Sequence, residues 1–227
     1  LSKYIQHLIT QGEGQTLDFK FCITDSKKIA RTLAAFSNCD GGKLLIGVKD
    51  NGNISGIRSD EEFYMIQAAA EMYCRPNISF ETANWEINGK TILEIIVPKS
   101  DRKPHYAIAD DGKWKVFVRS GDQNFIGNRI LLKTWEAKKR KTGTLVKFTK
   151  KEKILLDFLD KHESISLPKF QRIANIPRYL AEKILVNFIV LDIAGIEFTE
   201  KGIFYHLTES GVKKLSGNQK SLNHEGN

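Results

Sequence analysis

The sequence predicts an α+β fold in two parts, and three observations carry that expectation. Asn88-Gly89 separates two alternating runs, ISFETANWEI and KTILEIIVP, in the manner of a two-residue hairpin. Helical and hairpin patterns then follow one another without a strand-helix-strand rhythm, which argues against a doubly wound parallel sheet. From residue 151 onward the organisation changes to three helical patterns and one β-ribbon pattern, which marks a second domain.

The elements follow in order. LSKYIQHLIT is interrupted by Lys3, Gln6 and His7 and does not read as a signal peptide. SKKIARTLAAFSN, residues 26–38, spaces Ile29, Leu33 and Phe36 for a helix behind a Ser26 cap, and Asp40-Gly41-Gly42 ends it. KLLIGVKD reads as a buried strand. Asp50-Asn51-Gly52-Asn53 is a turn signal leading to NISGI, so 43–57 is expected to be a hairpin. Residues 59–74 read as helical. After the Asn88-Gly89 hairpin, YAIA and KWKVFVRS flank Asp110-Asp111-Gly112 as another, and 124–140 resumes a helical pattern. Then KEKILLDFLDKH, SLPKFQRIANI and PRYLAEKILVNFIVLDI give three helices, with a turn at Asn175-Ile176-Pro177. IAGIEFTEKGIFYHLTES closes the pattern with a ribbon about Glu200-Lys201-Gly202. Three helices and a ribbon make a small winged helix-turn-helix. The expected layout is a domain at 1–137, a basic linker at 138–150, and the winged helix with a disordered tail at 151–227.

Composition narrows the function. The chain has 227 residues, 41% of them apolar, enough for a substantial core, and no apolar run spans a bilayer, so a cytoplasmic protein without membrane contact is expected. Cys22, Cys39 and Cys74 are too few and too scattered for a disulfide framework or a zinc site. The net charge is +8, of which residues 1–137 contribute 18 basic against 17 acidic. KKRKTGTLVKFTKK, 138–151, has seven basic residues and no acid, and 152–227 balances at ten against ten. Lys138, Lys139, Arg140 and Lys141 therefore form a candidate phosphate-contacting run, with a solvated connector as the plain alternative. In a winged helix the third helix enters the major groove, so Arg178, Tyr179 and Lys183 would face DNA. Against that, the module itself is electrically neutral, and Glu197 and Glu200 sit on its ribbon, so protein contact or assembly is an alternative role.

GEGQTLDFK, then AAFSNCDGGKLLIGVKDNGNISGI, and later KPHYAI and VFVRSGD, together resemble the Schlafen AlbA-like domain family over about residues 10–128. The resemblance implies an α+β, predicted DNA-binding domain, often followed in bacterial members by a winged helix and described as a transcriptional regulator. Some members of the wider family resemble two-carboxylate metal nucleases that cleave RNA. This chain departs from the pattern at Asp18, where Glu is usual, and at Gly14, where Ser is common.

If TLDFK is a strand, Asp18 and Lys20 share a face and Phe19 turns into the core. Glu13 lies just before it, and the resemblance brings Asp50 near. Glu13, Asp18 and Asp50 could then hold Mg²⁺ or Mn²⁺ for phosphodiester cleavage while Lys20 steadies negative charge. The plain alternative is surface capping and an ion pair. Lys103, His105, Tyr106, Arg119 and Asp122 form a second constellation, fit to line a phosphate-and-base groove. Asp40-Gly41-Gly42-Lys43 lacks the Walker pattern, and Asp50-Asn51-Gly52-Asn53 lacks calcium-loop ligands. The expectation is a nucleic-acid-binding protein, DNA before RNA, acting as a homodimeric transcriptional regulator. A metal-dependent endoribonuclease and an assembly module are the alternatives.

Overall fold

The structure is a computed structural model and describes residues 2–140 and 149–213. The chain forms two compact units, Leu1–Gly127 and Asn128–Asn227. Among the described residues no helix is long and apolar enough to cross a membrane.

In the first unit, α1 (Ser2–Gln11), β1 (Leu17–Lys20), α2 (Ser26–Asn38), β2 (Gly42–Ile46), α3 (Glu61–Met72), β3 (Cys74–Arg75), β4 (Glu81–Ile87), β5 (Lys90–Val97), β6 (Tyr106–Ile108), β7 (Trp114–Ser120) and β8 (Gln123–Ile126) follow in order. One sheet has the order β1-β2-β5-β4, and only its β1–β2 pair is parallel. The other, β3-β6-β7-β8, is antiparallel throughout. Successive strand residues face opposite sides. Leu44 and Ile46 of β2 share a core with Leu33 and Phe36 of α2 and with Ala107 and Phe117 of the second sheet. Leu45 instead joins Leu17, Phe19 and α1 residues Ile5 and Leu8. Both faces of the first sheet are therefore covered, and that is why β2 reads as a continuous apolar run.

The Asn88-Gly89 hairpin forms, with both residues at positive φ (52° and 72°), as does the Asp110–Gly112 hairpin. The expected hairpin at 43–57 does not. β2 is flanked by β1 and β5, so its hydrogen-bonding edges are taken, and the returning segment makes one isolated bridge, Val48 to Ile54. Gly47 turns the chain there: φ is +91°, and a Cβ would meet the Gly56 carbonyl carbon at 2.7 Å. The α2 cap is Asp25, whose Oδ1 accepts from Lys27 N at 2.8 Å, in place of the expected Ser26. Residues 124–126, expected to open a helix over 124–140, instead pair with β7 within β8.

In the second unit come α4 (Arg129–Lys139), α5 (Lys150–Leu159), β9 (Ile165–Ser166), α6 (Leu167–Ala174), α7 (Arg178–Val190), β10 (Ala194–Thr199) and β11 (Gly202–Leu207). Its small sheet runs β10-β11-β9. Asn128 caps α4 by accepting from Leu131 N at 2.9 Å, and a Thr149–Glu152 capping box starts α5. Asn175, left-handed at φ 47°, ends α6 at the predicted turn. Ile130 of α4 lies in one core with Phe170, Ile184, Leu185, Phe188 and Tyr205. The helix expected to close the first domain thus belongs to the second, and the division falls at Gly127 rather than residue 137. Lys138 and Lys139 lie within α4 rather than in a linker. Lys141 lies outside the described residues, as do residues 214–227, where the expected tail falls.

Candidate functional site

Among the buried carboxylates, Asp18 in the first unit and Glu182 in the second are each met by more than one cation. In the first, strand alternation works as expected: Phe19 is buried, while Asp18 and Lys20 turn to the other face. Gly12, at φ 75°, lets the chain leave α1 so that Glu13 folds back alongside β1. There its Oε1 accepts the Phe19 N–H at 2.7 Å, occupying a donor on the sheet's edge strand. Asp18, 3% exposed, accepts on Oδ1 from Arg119 Nη2 at 3.0 Å. Lys20 Nζ lies 2.8 Å from Oδ2, an ion contact without hydrogen-bond alignment, so Oδ2 is buried with no hydrogen-bond donor. Lys20 also stands 3.9 Å from Glu13. Burial pushes the Glu13 carboxyl above its ordinary value; the Phe19 N–H opposes this and the neighbouring Asp18 reinforces it.

Arg119 is the residue whose role sequence reasoning misplaced. It is buried, not displayed in a groove: Nε donates to Gly14 O at 3.1 Å, Nη1 to Asn124 Oδ1 at 3.2 Å, and Nη2 to Leu17 O at 3.4 Å besides Asp18. Gln15 adds to the same tie, donating to Arg119 O at 3.1 Å and accepting from Gly121 N at 3.1 Å. Gln15, Asp18 and Arg119 therefore pin β1 and the loop before it to β7 and the β7–β8 turn.

His105 is corrected in the same way. It is buried, with Nδ1 2.9 Å from Pro76 O and Nε2 2.8 Å from Ser100 Oγ. A carbonyl only accepts, so Nδ1 carries the proton and Nε2 accepts from the serine hydroxyl in the neutral ring. Lys103 donates to Asn38 O at 3.1 Å, Tyr106 is half-buried on β6, and Asp122 is exposed. Most of this constellation supports the fold.

Asp50 is exposed and is not gathered with Glu13 and Asp18. Among the described residues no group of three or more His, Cys, Asp or Glu side chains could hold a metal ion. Asp18 is already met by two cations, Arg119 and Lys20, and Glu13 by a backbone donor. A divalent cation needs several free, converging oxygens, and this donor set does not fit Mg²⁺ or Mn²⁺.

In the second unit Glu182, 2% exposed on α7, is ringed by Arg178 Nε at 3.0 Å, Lys133 Nζ at 3.1 Å and Arg129 Nε at 3.7 Å. Burial pushes its carboxyl up, but Arg178 and Lys133 outweigh this and hold it below its ordinary value. The cations themselves face water: the Arg129 and Arg178 side chains are 73% and 72% exposed. Tyr179 is 71% exposed beside them, and Lys183 is exposed on the same helix. Nearby, Asn128 Nδ2 donates to Tyr205 OH at 3.0 Å, and burial pushes that phenol up to about 12. The Arg178/Glu182 pair was visible as an i,i+4 spacing, whereas Arg129 and Lys133 reach it only through the packing of α4 on α7. Lys138, Lys139 and Arg140 are exposed at the end of α4, where Arg140 pairs with Glu136.

With α4 counted where it packs, charge separates cleanly. Residues 1–127 carry 16 basic against 16 acidic, and residues 128–227 carry 19 against 11. The whole surplus of +8 belongs to the second unit.

The first unit is thus a mixed α+β domain whose first strand is tied to a hairpin by a buried arginine–carboxylate pair. The chain belongs to the Schlafen, AlbA_2 family, whose model matches residues 13–126, from the carboxylate that caps β1 to the end of β8. No curated protein matches the chain. Among solved structures, the DIP2311 protein from Corynebacterium diphtheriae is 18% identical, with TM-score 0.42, covering 65% of this chain and 34% of that one. This chain therefore spans about a third of that protein. The N-terminal domain of a RecG-related protein from Nitrosomonas europaea is 24% identical, with TM-score 0.38, covering 51% and 87%.

Proposed function

We propose that the protein binds nucleic acid, DNA in preference to RNA, as a transcriptional regulator, with the second unit as its duplex-binding module. One observation carries this reading: the surplus charge lies in residues 128–227, and Arg129, Lys133 and Arg178 gather at the start of α7 around a single carboxylate. Clustered cations gain from the release of counterions at phosphates. The order α5, β9, α6, α7, β10, β11 fits a winged helix in which α7 is the recognition helix, offering Arg178, Tyr179 and Lys183 to the major groove. Glu182 would hold Arg178 in place while leaving two positive charges in excess. Lys138 to Arg140 add phosphate contacts, and a homodimer reading paired half-sites fits this class of protein. Electrophoretic mobility shifts at graded salt test the reading: duplex affinity falls steeply as salt rises, and neutralising Lys138 to Lys141 flattens the slope by about 0.9 per lost contact. A shift that is absent, or indifferent to salt, overturns it. The exposed Glu197 and Glu200 of the ribbon support a second reading, a protein-assembly module, which would show as a partner retained at high salt.

A further inference from the structure

The two edges of the β1-β2-β5-β4 sheet are finished differently. At β1, Glu13 covers the Phe19 N–H. At β4 no such cover exists among the described residues. Its pairing with β5 runs unbroken from Glu81↔Ile96 to Ile87↔Lys90, and no proline, lysine or bulge blunts the strand. The two-residue Asn88-Gly89 turn makes Ile87↔Lys90 a hydrogen-bonded pair, and the pairs alternate from there. Thr82, Asn84 and Glu86 therefore aim their backbone N–H and C=O groups away from β5, where no hydrogen-bond partner meets them among the described residues. The side chains of the same three residues share one face. On that face Thr82 and Asn84 line a cavity of about 190 Å³ with Ile57, Asp60, Phe63 and Tyr64. Phe63 and Tyr64 meet edge to face at 5.7 Å, and Tyr64 is 65% exposed. Around them Asp60, Glu61, Glu81 and Glu86 are exposed, and none is within ion-pair distance of a cation among the described residues. The cations close by in the chain are engaged elsewhere: Arg58 lies over the Phe21 ring, and Lys90 donates to Ile54 O at 2.9 Å.

We infer that the free edge of β4 takes up an extended, lysine- or arginine-rich segment of a partner protein as an added strand of the sheet. The open N–H and C=O groups of Thr82, Asn84 and Glu86 bond the main chain of that segment, which supplies affinity without regard to sequence. Specificity comes from its side chains. Those pointing to the α3 side alternate along the segment, so an apolar one enters the cavity beside Phe63 and Tyr64 while its neighbours on either hand reach the acids. The charge selects the occupant. Asp60, Glu61, Glu81 and Glu86 attract a basic segment and repel the phosphates of a nucleic acid, so this surface is separate from the duplex module proposed for the second unit. A second copy of the same edge would bring the same acids with it, and like charges across a strand pair are unfavourable.

The test uses the full chain and fluorescein-labelled peptides of the seven-residue length of β4. The first has a central phenylalanine between valines, with a pair of lysines at each end; the second carries glutamates in place of the lysines. The third is the lysine peptide methylated on every second amide, the phenylalanine amide included, so that its main chain cannot donate to β4. Anisotropy titrations should show binding of the lysine peptide alone. Asn84→Pro removes one outward N–H at an edge where proline is tolerated, and should weaken that peptide about fivefold. Tyr64→Ala should weaken it by about as much, and it covers the case in which the proline variant folds poorly. Glu81→Lys with Glu86→Lys should exchange the preference, losing the lysine peptide and gaining the glutamate one. Failure of the lysine peptide to bind overturns the inference, as does equal binding of its methylated form or equal binding by wild type and both the Asn84 and Tyr64 variants. A dimer in sedimentation that Asn84→Pro dissolves, with no peptide bound, would overturn it in favour of pairing between two copies.

Discussion

Asp18 and Glu182 are both buried carboxylates met by more than one cation, and they differ in where their arginines point. The Arg119 side chain that binds Asp18 is 2% exposed and turns its remaining donors to backbone and Asn124. The Arg129 and Arg178 side chains that meet Glu182 are more than 70% exposed. Inward cations are consumed by the fold. Outward cations are held in place by one acid and remain available to a ligand. The same pairing of residue types therefore joins a loop to a hairpin in one unit and presents positive charge in the other.

The sharpest way to break this comparison is to remove Arg119. Arg119→Ala strands the Asp18 carboxylate in the interior and should cost about 3–5 kcal/mol in the first unit, measured by urea denaturation. Pairing it with Asp18→Leu should recover most of the loss, because the uncompensated charge is then gone. A loss under about 1 kcal/mol for the single variant would mean that water or Lys20 compensates Asp18. Arg178→Ala should behave in the opposite way. Stability changes by about 1 kcal/mol or less, since an exposed cation contributes little, while duplex affinity falls by about 1–3 kcal/mol. A large stability loss without an affinity loss would make the Glu182 ring structural as well.

The smallest effect is a pair of opposite pH slopes. Glu13 is held above its ordinary value, so between that value and the folded one the native first unit binds the extra proton, and its stability falls as pH rises through this window. Glu182 is held below its ordinary value, so the second unit keeps its contribution above the ordinary glutamate range and loses it as pH falls through the folded value. Hydrogen exchange read by mass spectrometry across an acid series follows each unit separately. Glu13→Gln should abolish the first slope and Glu182→Gln the second; slopes of the same sign would contradict the assignment.

Much of this could be read along the chain. Asn88-Gly89 and Asp110-Asp111-Gly112 were legible because a hairpin turn is a local steric requirement, and the Asp18/Lys20 face followed from strand alternation alone. The helices at 26–38 and from Arg178 onward stood out by their apolar spacing. The 43–57 hairpin misled because its turn signal was sound, but β2 already had two partners contributed from elsewhere. Arg119 and His105 looked like surface groups because nothing near them in the chain shows that Gly14 and Leu17 converge on the one and Pro76 on the other.

Local spacing alone decided where most helices and turns lie, which residues of β1 share a face, and that the two parts of the chain differ in organisation. Packing alone decided that α4 sits with α7, that all the surplus charge therefore belongs to one unit, and that Asp50 stands apart from Glu13 and Asp18. The reason is range. Steric and hydrophobic periodicity acts over a few residues, whereas Arg119 meets Asp18 across 101 positions and Lys133 meets Glu182 across 49. Such a partnership has no trace in a chain until burial of the two cores brings its ends together.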